Sequence, residues 1–303
     1  MIAELCFLDR KTSLEYDAPS LNKITDTYCS WLSLLYGKCI YNAGILTYNG
    51  KMLIRDINQF RNRWDYSVYT NIPRRDYPLE LDLSLASADD EIKKVFSSEK
   101  LCDVLRLYYR AVWEMDRCPD YAYMCFIGIG EALAANETFA DSEFVRDDEN
   151  LAKLIQCVEK CFFSDDKEKM IRYIRRNFFH IKRKFVLTIL KYLDNNFYKL
   201  ECENGITFGS LNEDEIENIL KRTYNLRSKY IHVGADIEYY VTPYRMWNNE
   251  VVVGAFMNDV DEKGRPIQST LDKCAHKTLT LTGLERIMRY VLLSYIKESI
   301  KAE

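Results

Sequence analysis

The stretch that most constrains this chain is residues 121–135, YAYMCFIGIGEALAA. It is long enough for about four helical turns and apolar on nearly every side. A helix without a polar face is stable only where other elements surround it, so a central core helix is expected here. Its one charged residue is Glu131, and a carboxylate in that setting needs a partner.

The second constraint is residues 211–234, LNEDEIENILKRTYNLRSKYIHVG. Ser210 and Glu213 stand at capping-box spacing and mark a helix start. Ile216, Ile219, Leu220, Tyr224, Leu226 and Ile231 fit one broad apolar face. Gly234 suits the C-terminal cap, because the left-handed conformation costs it nothing. Close to that end stand Arg227 and His232, within Arg-Ser-Lys-Tyr-Ile-His. Positions five apart lie about 140° apart around a regular helix. The two residues therefore flank the apolar stripe, and both reach a partner helix lying across it.

An R-x4-H pattern in the form LRSKYIH, closing a late helix with a glycine soon after, resembles the HEPN superfamily and in particular its Apea-like abortive-infection branch. Residues 121–135, with their Glu-Ala-Leu signature, are similar to the first long helix of that family. The resemblance implies a helical domain that dimerises through the motif helices. It also implies a metal-independent ribonuclease site made from Arg227 and His232 of both subunits, supported by Glu131 and Ser228. Ser228 stands where many members carry Asn, Asp or His, and Val233 separates His232 from Gly234. Related toxins carry a tyrosine two residues beyond the His; Gly234 occupies that position, so regulation by tyrosine modification is not expected. Glu131 either orients Arg227 or His232, or reaches water or another arginine near its helix end.

The 303 residues allow one large domain or two ordinary ones, and 48% hydrophobic with 29% charged residues describe a soluble globular chain. A net charge of −4 argues against a uniformly nucleic-acid-coating protein but leaves room for a local basic patch. No apolar run approaches the roughly 20 residues that span a bilayer. The N-terminal MIAELCFLDRKTSLEYD lacks a signal-peptide core, so a cytoplasmic, non-membrane protein is expected. Ten cysteines are scattered without a CxxC pair. Cys157, Cys161 and His180 lack the fourth ligand of a zinc site, and reduced thiols acting as small hydrophobes fit the set better. Neither a metal nor a cofactor is expected.

In chain order, residues 1–97 read as a small α+β domain of unrecognised role. Residues 2–8 suit a strand, and Ile24, Tyr28, Trp31 and Leu35 recur at helical spacing up to Gly37. Asn49-Gly50 between apolar runs signals a hairpin, and residues 79–85 alternate like a half-buried strand. Arg61, Arg63, Arg74 and Arg75 with Trp64, Tyr66, Tyr69 and Tyr77 form a basic-aromatic cluster of the kind that stacks on single-stranded RNA, or a solvated loop. Residues 98–303 read as a helical bundle of HEPN type with a β-hairpin insertion at about 236–270. Leu101, Leu105, Tyr108 and Val112 share a face of one helix there, and Asp120 is placed to cap the next. Arg172, Arg175, Arg176, Lys182, Arg183 and Lys184 form an acid-free run suited to an RNA backbone or to a solvated face. Residues 237–241 and 250–256 read as strands, and Thr282 with Glu285 as a second capping box.

RNA cleavage by its own 2′-hydroxyl needs a base, an acid and positive charge beside the phosphorane. An imidazole does either proton job near neutrality, and a guanidinium grips phosphate oxygens as a fork. One Arg and one His are too few for all three roles, whereas two copies about a two-fold axis suffice. No phosphate loop, GxSxG elbow or HExxH helix competes. The expected protein is thus an endoribonuclease, a toxin or anti-phage effector, with RNA as substrate and an antitoxin or trigger protein as further partner. A non-catalytic HEPN module for dimerisation, scaffolding or RNA binding, and a different helical fold with a chance motif, are the other readings.

Overall fold

A computed structural model describes residues 18–37, 40, 47–48, 51–52, 89–115, 117–139, 149–161, 166–171, 174, 181–199, 209–242, 249–253, 259–260, 266–267 and 269–301. The strands expected at 2–8 and 79–85, the basic-aromatic cluster of 61–77, and Arg172, Arg175 and Arg176 lie outside the described residues.

The described part is mainly helical. Its helices are α1 (Ala18–Tyr36), α2 (Asp89–Ser97), α3 (Glu99–Glu114), α4 (Pro119–Ala134), α5 (Glu149–Cys161), α6 (Ile181–Tyr192), α7 (Asn195–Lys199), α8 (Ile216–Val233), α9 (Glu238–Val241), α10 (Thr270–Ala275) and α11 (Leu281–Lys301). No described helix is long and apolar enough to cross a membrane.

Helix α4 is the central element. It packs against α3, α6, α8, α9 and α11, which bury Ala122, Tyr123, Cys125, Phe126, Ile127, Ile129 and Leu133 around its circumference. Pro119 opens it at a position where its missing N–H costs nothing. Asp120 does not cap it: the carboxylate sits inside the first turn and accepts from the Tyr121 N–H at 2.7 Å. At Gly130 the helix comes so close to α6 that an added Cβ would lie 2.5 Å from a ring carbon of buried Phe185.

Helices α1 and α2 join the same core through Trp31, Leu34 and Val95, and both pack on α3 and α11. Between α2 and α3 the Ser98 hydroxyl caps α3 by accepting from the Leu101 N–H at 3.3 Å. Thr47–Tyr48 pairs antiparallel with Lys51–Met52 across Asn49-Gly50, and Asp259–Val260 pairs with Pro266–Ile267.

Residues 237–241 are not a strand. Ile237, Tyr240 and Val241 are the buried positions, at i, i+3 and i+4, and Glu238–Val241 is the short helix α9. Burial against α4 at helical spacing overrides the β-favouring side chains. Residues 250–252 run antiparallel to 278–280 through a single bridge, Val251 with Leu279. Glu250 is fully buried there and is matched by the Arg286 guanidinium of α11 at 2.6 Å. The second capping box is absent as well. Thr280 precedes α11 and accepts from the Gly283 N–H at 3.4 Å, while Thr282 lies inside the helix.

Two outcomes test this packing. Gly130→Ala gains about 1 kcal/mol of helix propensity but drives a methyl into the Phe185 ring, so a net loss of about 1–3 kcal/mol is expected from urea midpoints. A variant as stable as wild type would contradict the close approach. Burial, followed by the charge of Glu213 on Tyr198 and by hydrogen bonds from Tyr240 to Asp272 and from Tyr290 to Asp194, pushes all three phenols up to about 12. Because the folded state holds these protons past the unfolded value of 10.0, their contribution is whole below that pH. It is lost as pH rises from about 10 to about 12. Thermal midpoints measured across that window should fall while tyrosinate absorbance lags that of the unfolded chain.

Candidate functional site

Helix α8 carries the site, and its ends are set by neighbours. The Asn212 carboxamide accepts from the Asp214 N–H at 3.2 Å and opens a 3-10 turn, Glu213–Glu215, that leads into α8. Ser210 and Glu213 do not form the expected capping box, because buried Glu250 takes the Leu211 N–H at 2.9 Å and fixes the entry differently. At the other end Gly234 adopts φ 65° as expected. Its N–H donates to the Tyr230 carbonyl, and that of Ala235 to the Lys229 carbonyl.

Ile216, Ile219, Leu220, Thr223, Tyr224 and Leu226 are buried where α8 meets α4, α6 and α10. Ile231, expected on the same face, is 48% exposed, so the cover of that side stops before the last turn. Val233, two residues on, and Tyr239 of α9 are exposed as well.

Glu131 leaves the core of α4 directly opposite α8 and meets Arg227. An Arg227 Nη2 lies 3.1 Å and 3.2 Å from its two carboxylate oxygens, and the Tyr224 hydroxyl donates to Oε1 at 2.6 Å. The guanidinium also lies over the Tyr224 ring, 5.3 Å from its centre, and the Phe185 ring packs 5.3 Å from that of Tyr224. Burial and then the Glu131 hydrogen bond and charge push the Tyr224 phenol up, so at neutral pH it remains a donor. Arg227 and Glu131 keep 21% and 24% of their side chains exposed, which leaves the pair at the rim of the core.

The structure brings Glu131 together with Arg227 and not with His232, which is exposed in the last turn of α8. Ser228 is tied to its own helix, its hydroxyl donating to the Tyr224 carbonyl at 3.2 Å. The basic residues of α6 do not share a single face. Lys182 donates to the Asn225 carboxamide at 2.7 Å, whereas Lys184 reaches the Glu137 carbonyl beyond the end of α4 at 3.5 Å. Arg183 is half-buried between them in sequence. Tyr224 was not singled out by sequence reasoning for a polar role, although its spacing of three from Arg227 places both on one side of the helix.

Among the described residues no group of three or more His, Cys, Asp and Glu side chains gathers at metal-ligand distances. No family model, curated protein or solved structure matches the chain.

The chemistry on offer is a guanidinium oriented by a carboxylate and a phenol, with an imidazole one turn further along the helix. A double-mutant cycle between Glu131→Gln and Arg227→Gln should return a coupling of about 1 kcal/mol, modest because the pair is partly open to water. A coupling of zero would mean that the two side chains do not hold each other.

Proposed function

We propose that the protein is a metal-independent endoribonuclease of the HEPN type, acting as a toxin or anti-phage effector on RNA. The observation that carries this reading is the anchored Arg227 and the open His232 on one helix whose final turn exposes Ile231 and Val233. A second copy packed there about a two-fold axis would bring two arginines and two histidines to one cleft. One His232 takes the 2′-hydroxyl proton, the other protonates the leaving 5′-oxygen, and the arginines hold the phosphorane charge. In this scheme Glu131 and Tyr224 are positioning residues for Arg227, and the N-terminal part, whose α1 and α2 share the core, senses a trigger or restrains activity.

One observation favours a second reading, a non-catalytic HEPN module for dimerisation or RNA binding: the charge of Arg227 is already countered by Glu131. The two readings part on cleavage. Purified wild-type protein incubated with total RNA in EDTA should yield fragments ending in 2′,3′-cyclic phosphates. His232→Ala and Arg227→Ala should each reduce cleavage by more than a hundredfold while remaining folded dimers. A fully active His232→Ala variant, or a monomer cleaving at full rate, would overturn the composite site; a wild-type dimer that binds RNA and never cleaves it would establish the second reading.

A further inference from the structure

The outward side of α8 carries a row that ends at His232 and whose other members the site above does not use. Asn218, Arg222, Asn225, Lys229 and His232 recur at intervals of four, three, four and three, so they line one side of the helix, and all are exposed. No carboxylate interrupts the row. Glu217, the acid of α8, is paired with Lys221 at 2.8 Å, and Glu215 just before the helix is paired with Lys277. Lys182 reaches over from α6 and donates to the oxygen of exposed Asn225, which leaves the Asn225 amide NH2 as a donor. Arg222 touches the His276 carbonyl at 3.4 Å through one nitrogen and keeps the rest of its fork open.

These cations stand close together. The Cys274 thiol of α10, pushed up by burial, is drawn back down by Lys229, Arg222 and Lys182 at once. The Lys182 ammonium is held below its usual range chiefly by burial. Like charges gathered without an intervening acid repel one another in the free protein, and a polyanion laid along them relieves that repulsion.

We infer that Lys182, Arg222, Asn225 and Lys229 form a track that binds the phosphates of one unpaired RNA strand and leads it to His232. The inference rests on the ribonuclease reading of His232 for its direction and substrate. From Arg222 to His232 the helix rises about 15 Å, so several consecutive phosphates fit along it. Arg222 offers a fork, Lys182 and Lys229 point charges, and Asn225 a neutral donor between them. The strand is unpaired because 2′-hydroxyl attack needs an in-line arrangement that a stacked A-form duplex prevents.

The test uses the full chain carrying His232→Ala, so that RNA is bound and not consumed, with a fluorescein-labelled single-stranded RNA oligonucleotide titrated at several salt concentrations. On single strands each phosphate contact contributes about −0.7 to the slope of log K against log salt. Arg222→Gln with Lys229→Gln should therefore flatten the slope by about 1.4 and weaken binding at least tenfold at low salt. Lys229→Gln alone should remove about half of that change in slope. Lys160→Gln with Lys297→Gln, on α5 and α11, should alter neither quantity. An unchanged slope in the track variant, an equal loss in the α5/α11 control, or a duplex RNA bound as tightly as the single strand would overturn the track. Cleavage separates the two ideas: wild-type cleavage that survives Arg222→Gln with Lys229→Gln at full rate defeats the track alone. Salt-dependent binding lost in that variant, beside a wild type that never cleaves, defeats the ribonuclease reading alone.

Discussion

Everything in the described structure depends on the enclosure of α4. An apolar helix with no side for water has to be covered all round, and five other described helices do so from well-separated parts of the chain. The cover opens on one side at Glu131, which keeps 24% of its side chain exposed. A carboxylate at that rim is stabilised by whatever donors the neighbouring helix presents, and α8 presents Tyr224 and Arg227. The position of Arg227 is therefore set by the core. Its guanidinium is held from below by a helix that cannot move without opening the whole bundle.

Much of this was legible from residue pattern because a few positions had a single physical solution. The all-round apolarity of 121–135 leaves only a central helix, and its lone charge has to find partners outside the helix. Gly37 and Gly234 end α1 and α8 with positive φ, where glycine is the residue without a steric penalty. The helix starts were harder to read, since several hydroxyl and amide side chains compete for each cap and tertiary contacts decide the outcome. Buried Glu250 claims the Leu211 N–H, and the Thr280 hydroxyl donates to the Asn249 carbonyl while accepting from α11. Residues 237–241 misled for another reason: two tyrosines and a valine favour strands, yet the buried subset has helical period. Tyr224 escaped notice because a tyrosine on an apolar face looks like core, and only the structure shows its hydroxyl meeting a carboxylate.

Helix α8 divides its labour by side. The half-buried side holds Arg227 in place through Glu131 and Tyr224, and the outward side carries Arg222, Asn225, Lys229 and His232 toward solvent. A residue's position around the helix axis thus separates groups held against the core from groups that face solvent.

The antiparallel bridge between Val251 and Leu279, locked by the buried Glu250–Arg286 pair, has a further meaning for how this architecture can vary. It fixes residues 250–252 and 278–280 side by side on the same framework. Closure of the intervening segment grows only slowly with its length, at about 0.6 kcal/mol for each doubling. A change in the length of the chain between those two places therefore costs the bundle little, provided that α10 keeps its packing on α8.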